Sequence, residues 1–110
     1  MSLTTEEVQN SLVYRLEGAL DAFSVRELRP KMEEQLTHAA KSHVFDLSQV
    51  DFVDSSGIGA VVFMYKRLAA QKKNLVLTGL AGQPLDLIKM LRIDKVIDIK
   101  PTVEDALTEG

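Results

Sequence analysis

The 110-residue chain has no cysteine and no tryptophan, and only three prolines and two histidines. Without cysteine there is no disulfide framework, no thiolate metal site and no cysteine nucleophile. The two histidines, His38 and His43, match no standard metal-site spacing. Both read as solvent-side residues, the first late in a polar helix and the second opening a strand. No apolar stretch approaches the ~20 residues that cross a bilayer. No basic–apolar–small-residue leader opens the chain, so a cytoplasmic protein without membrane insertion is expected. Positive charge is scarce as well: 13 Lys and Arg face 16 Asp and Glu, for a net charge of −3. Together with the missing tryptophan, that balance argues against direct nucleic-acid binding.

What is present is ordinary globular composition, with 45% hydrophobic and 26% charged residues. Surface scaling gives about 6,000 Å² folded against about 17,700 Å² unfolded, enough burial for one self-supporting core. Residues 1–110 therefore read as a single domain, with no linker or internal repeat. Met1-Ser2-Leu3 and Glu109-Gly110 have the look of expression-tag remnants and carry no functional argument. The first 55 residues hold ten acids and five bases, the second 55 six acids and eight bases. Lys66, Arg67, Lys72 and Lys73 account for much of that second excess, at the end of a predicted helix whose dipole they complement.

Hydrophobic periodicity alternates between strand and helix. Leu12–Glu17 reads as a half-exposed strand ending at Gly18, with a weaker strand before it around Leu3–Val8. Ser24-Val25-Arg26-Glu27 has capping-box spacing, and Val25, Leu28, Met32 and Leu36 carry a helix on to about Lys41. Pro30 inside it predicts a kink or a tight first turn. His43–Leu47 fits a buried strand, and Ser48–Ser55 a loop with Val50, Phe52 and Val53 tucked inward. A second helix runs from Ser56 to about Gln71, with Ile58, Val61, Val62, Tyr65, Leu68 and Ala69 on one face. Leu75–Thr78 is another buried strand, Pro84 opens a short helix through Leu91, Val96–Ile99 is the last strand, and Thr102 caps a closing helix. Such alternation predicts an α/β fold: a mainly parallel mixed sheet of four to five strands with about four helices. Function in such sheets gathers in loops after the carboxyl ends of strands, here Gly18–Ser24 and Ser48–Gly57.

Asp54-Ser55-Ser56-Gly57-Ile58-Gly59 places small polar side chains where helix amides lack partners, and a plain cap would account for it. Rival chemistries lack parts. A phosphate-cradling loop needs a lysine after its last glycine, and none occurs before Lys66. A nucleophile elbow needs glycine two places before the serine, where Val53 and Asp54 stand. No catalytic residue, metal ligand or cofactor site emerges, and the chain is not expected to be an enzyme.

The run from Val44 to Gly59, VFDLSQVDFVDSSGIG, resembles the signature of anti-sigma factor antagonists, stand-alone domains of the STAS superfamily (sulphate transporter and anti-sigma factor antagonist). Gly18-Ala19-Leu20-Asp21 looks like that family's turn, and Pro101–Leu107 like its closing helix. The resemblance implies a STAS fold and a partner switch. The unphosphorylated protein would bind an anti-sigma factor that is also a serine protein kinase and so release a sigma factor. A metal-dependent phosphatase would reverse the modification. The phosphoacceptor position falls on Ser55, and Asp21, Asp54, Ser56 and Gly57 fall on the partner-binding surface. Departures are Ala19 in place of an acid, Pro30 within the first helix, and Lys72-Lys73 where glycines are common. Relatives of the same fold include accessory subunits of membrane lipid transporters, which need no phosphoswitch; that is the alternative reading. On a helical wheel Phe63 falls among small and basic residues, away from the Ile58–Val62–Tyr65 stripe, and is the expected apolar anchor for a partner.

Overall fold

A computed structural model describes residues 1–108. Its elements are β1 (Ser2–Val8), β2 (Ser11–Leu20), α1 (Ala22–Glu34), β3 (Ser42–Val53), α2 (Ser55–Ala70), β4 (Asn74–Thr78), α3 (Gly82–Met90), β5 (Asp98–Lys100) and α4 (Val103–Thr108). Short 3₁₀ turns at Gln35–Thr37 and Ile93–Lys95 follow α1 and α3. The five strands lie in chain order, β1-β2-β3-β4-β5. The β1–β2 pair is antiparallel and every later pair parallel. The expected mixed α/β sheet is the one observed. Gln9 and Asn10, at φ 50° and 69°, join β1 to β2, which is the backbone that a two-residue hairpin with the sheet's twist requires.

Strand alternation divides the interior in two. Leu12, Tyr14, Leu16, Phe45, Leu47, Leu75 and Leu77 pack with α1, α2 and α3 in the main core. Val13, Val44 and Val76 form a smaller cluster with Ala106 of α4, against which Val8 and Val103 pack. With both faces covered, the central strands read as continuous apolar runs rather than clean alternations. No helix among the described residues is long and apolar enough to cross a membrane.

Several boundaries differ from the sequence reading. α1 begins three residues earlier, because Asp21 is its N-cap and Ser24 is the reciprocating third residue of the capping box. It ends at Glu34 rather than near Lys41, and Pro30 sits inside it without ending it. β3 runs through the predicted loop to Val53, held by pairing to β2 as far as Leu20↔Val53. Two register shifts, at Arg15/Glu17 and Gly18/Ala19, explain the misreading: a bulge breaks the two-residue period by which a strand is recognised. Leu47, Val50 and Val53 thus point inward at intervals of three, while Phe52 is 44% exposed instead of tucked in. In α2 the buried side is Gly57, Ile58, Ala60, Val61, Met64 and Leu68, so Ala69 and half of Val62 and Tyr65 leave the predicted stripe. His43 is completely buried rather than solvent-side, its ring nitrogens bonded within the core to the Tyr14 hydroxyl and the Ala40 carbonyl.

Candidate functional site

The carboxyl ends of β2 and β3 deliver two aspartates to the starts of two helices. Asp21, after β2, caps α1: its Oδ1 accepts from the Ser24 amide at 2.9 Å. The Ser24 hydroxyl accepts from the Asp21 amide at 3.0 Å and donates to the Ala19 carbonyl at 2.8 Å. The Ser24 amide, foremost, holds the Asp21 carboxyl below its usual range by favouring the charged form.

Asp54, after β3, does more than cap its own helix. Its Oδ1 accepts from the Gly57 amide at 3.0 Å, and its Oδ2 accepts from the Ala22 amide of α1 at 3.2 Å. One carboxylate therefore serves an otherwise partnerless amide at each of two helix N-termini and ties them together. Its own amide donates to the Leu20 carbonyl at 3.2 Å, so β2, β3, α1 and α2 all meet at this residue.

Gly57 is buried where α2 presses on the end of β2. A Cβ there would lie 2.2 Å from the Leu20 oxygen and 2.9 Å from both Leu20 Cγ and Val53 Cγ1. No side chain fits that gap, so Gly57 shapes the turn from beneath and does not line its surface. Gly59, by contrast, faces open space. Ser55 occupies the first position of α2 and is exposed; Ser56 is half-buried. The arrangement presents the exposed Ser55 hydroxyl on a helix start whose Gly57 amide Asp54 caps, and the helix dipole there favours an added anion.

Behind this turn stands a residue that the sequence reading did not single out. Gln83, in the first turn of α3, donates from Nε2 to the Val53 carbonyl at 2.8 Å and accepts at Oε1 from the Val53 amide at 2.9 Å. Polar residues near helix starts are common, and nothing in the local pattern marks this one.

The structure brings Asp21, Asp54, Ser55, Ser56 and Gly57 together, and it places Phe63 differently from the wheel. Phe63 is half-buried and packs against the main core. The Arg29 guanidinium of α1 lies 4.3 Å from its ring centroid and that of Arg67 lies 5.5 Å away, so two cations cover its π face. The wheel considered α2 alone; α1 covers the side it leaves open. The most exposed aromatic beside the site is Phe23, 82% exposed against 44% for Phe52, directly after Ala22, whose amide binds Asp54. Its orientation follows from the true start of α1: a helix from Ala22 that buries Ser24, Leu28 and Met32 turns Phe23 outward, whereas the sequence reading began that helix only after Ser24.

The family model described as STAS domain matches residues 2–106. An anti-sigma-B factor antagonist of Listeria monocytogenes is 28% identical over 83 residues, 76% of this chain and 73% of that protein. A solved anti-sigma factor antagonist from Mycobacterium paratuberculosis superposes with a TM-score of 0.91 at 22% identity, covering 98% of this chain and 92% of that one. The Bacillus cell fate determinant SpoIIAA, solved in its phosphorylated form, gives a TM-score of 0.76 at 22% identity, covering 98% of both chains.

Proposed function

This chain belongs to the STAS domain family, and on that basis we propose that it is an anti-sigma factor antagonist switched by phosphorylation of Ser55. The observation that carries the reading is an exposed serine at the start of a helix whose capping needs Asp54 already meets. Unphosphorylated, the surface formed by Asp21, Asp54, Ser55 and Ser56 binds an anti-sigma factor that is also a serine protein kinase, and a sigma factor is released. A metal-dependent phosphatase restores that form. The protein itself performs no catalysis and works in the cytoplasm. Phe23 takes the anchoring role first assigned to Phe63, and Gly57 supports the surface from below.

A phosphate on Ser55 adds about −1.5 to −2 charges at pH 7. The helix start tolerates it, so the fold survives. A partner packed on the bare hydroxyl instead meets bulk and an unpaired charge beside Asp54, which is repulsive enough to reverse binding. Relatives named as antagonists and a homologous fold solved in phosphorylated form support the reading.

Affinity capture from extract of the source cell tests it. An ATP-dependent serine kinase should be retained by wild type and lost with Ser55→Asp, while circular dichroism of that variant stays unchanged. Mass spectrometry after incubation with the captured kinase and ATP should find phosphate on Ser55 and none on Ser55→Ala. Capture of a transporter ATPase, or phosphate mainly on Ser56, overturns the proposal.

A further inference from the structure

β3 outruns its neighbour. Its pairing with β4 ends at Asp46↔Thr78, yet the strand continues to Val53 with β2 on one side alone. The backbone groups on the other edge of that extension lack a strand to pair with. At its last residue, immediately before Asp54, the side-chain amide of Gln83 supplies both a donor and an acceptor to Val53. A primary amide offers, side by side, the N–H donor and C=O acceptor that a neighbouring strand would have supplied.

We infer that Gln83 is the positioning residue of the Ser55 turn: it fixes the end of β3 from α3 and so holds Asp54 and Ser55 where kinase and partner meet them. The inference rests on the reading of Ser55 as the modified, partner-facing residue. Asp54 fastens the turn to α1, and Gln83 fastens the strand that carries it to α3. Without Gln83 the last peptide of β3 would be paired on one edge and free to shift on the other. Gln83 touches neither the phosphate nor, on this account, the partner; it acts through Val53.

The test separates that role from simple packing. In Gln83→Ala both bonds go. In Gln83→Glu at pH 7 the acceptor remains, but a carboxylate oxygen replaces the donor and opposes the Val53 carbonyl. Protonation of the introduced carboxyl, around the ordinary glutamate range of ~4.3, restores a donor and an acceptor. Amide exchange measured by NMR on the isolated chain should show Val53 protection at least tenfold lower in both variants at pH 7, with shifted Ser55–Gly57 amides. Each value is compared with wild type at the same pH, so that effects of acid common to all three proteins cancel. Protection should return on acidification in Gln83→Glu alone. The kinase captured above should phosphorylate Gln83→Ala several-fold more slowly. Unchanged Val53 protection, a uniform loss across the whole sheet, or no difference between the two variants at low pH overturns the clamp. Altered protection with an unaltered phosphorylation rate overturns its link to Ser55. The exchange arm involves no partner, so it gives its answer even if Ser55 is never phosphorylated.

Discussion

The two ends of the sheet handle polar groups in opposite ways. At the carboxyl end, Asp21, Asp54 and Gln83, with the buried Ser24, bond to backbone groups and leave Ser55 and Phe23 exposed. At the amino end one polar pair is drawn inside. The completely buried His43 sits between the Ala40 carbonyl, 3.1 Å from Nε2, and the Tyr14 hydroxyl, 2.7 Å from Nδ1. Because a carbonyl only accepts, Nε2 carries the proton, Nδ1 is the acceptor, and Tyr14 donates to it. His38 lies nearby: its Nδ1 accepts from the Ala40 amide at 3.0 Å and its Nε2 donates to Glu7 at 2.6 Å, while Lys73 donates to the His38 carbonyl at 2.6 Å. Burial pushes the His43 pKa down to about 4 and the Tyr14 hydroxyl well above its ordinary value. One end presents an exposed hydroxyl on a capped helix start, and the other holds a neutral, buried histidine–tyrosine pair. Rigidity at the first comes from backbone caps, at the second from desolvated side chains.

The contrast can be broken most severely at Gly57. Gly57→Ala drives a methyl into the Leu20 carbonyl and should cost about 3 kcal/mol or more. Gly59→Ala, two residues along in open space, should be neutral or stabilise by roughly 0.5–1 kcal/mol through helix propensity. Urea unfolding of the two variants checks both, and equal effects would remove the close-approach argument.

Acid should test the opposite end. His43 is neutral when folded down to about 4 but takes up a proton near its ordinary 6.5 when unfolded. Between those values the unfolded state binds more protons, so stability rises with pH and is lost as pH falls through that window. The shift corresponds to about 3 kcal/mol at most, at 1.36 kcal/mol per unit. Melting temperature measured from pH 7 to pH 4 should fall accordingly, more gently in a variant lacking the imidazole such as His43→Leu. An identical slope in that variant would assign the acid sensitivity elsewhere.

The two phenylalanines sharpen the comparison at the smallest scale. Phe63→Ala removes a half-buried ring from under two guanidinium groups and should lower stability by about 1–3 kcal/mol. Phe23→Ala should leave stability within about 0.5 kcal/mol of wild type while weakening capture of the partner at least tenfold. Differential scanning calorimetry and a binding titration on both variants distinguish structural from anchoring aromatic residues.

The sequence revealed some of these features and hid others for identifiable reasons. The β–α alternation, the Asp54-Ser55 turn at a helix start and the Thr102 cap were legible, since each depends on contacts within a few residues; Thr102 accepts from the Asp105 amide at 3.2 Å. The far half of β3 was not, because its bulged register erases the period. His43 read as solvent-side because its burial depends on Tyr14, 29 residues away. Phe63 and Gln83 were misplaced or missed for the same cause: the Arg29 guanidinium and the Val53 backbone reach them only through the tertiary fold.

The order of the sheet has a consequence for how the molecule is made. Because β1 to β5 lie side by side in the order of the chain, each strand can dock on the one before it as soon as it leaves the ribosome. Synthesis at about 5–20 residues per second leaves ample time for such stepwise docking. By the end of α2 at Ala70, three strands and both capped helices are available, and the Ser55 turn can form. Gln83 emerges thirteen residues after that helix ends. A nascent chain therefore displays Ser55 before α3 has fastened the strand that carries it, and finishes tightening that turn as one of its later acts.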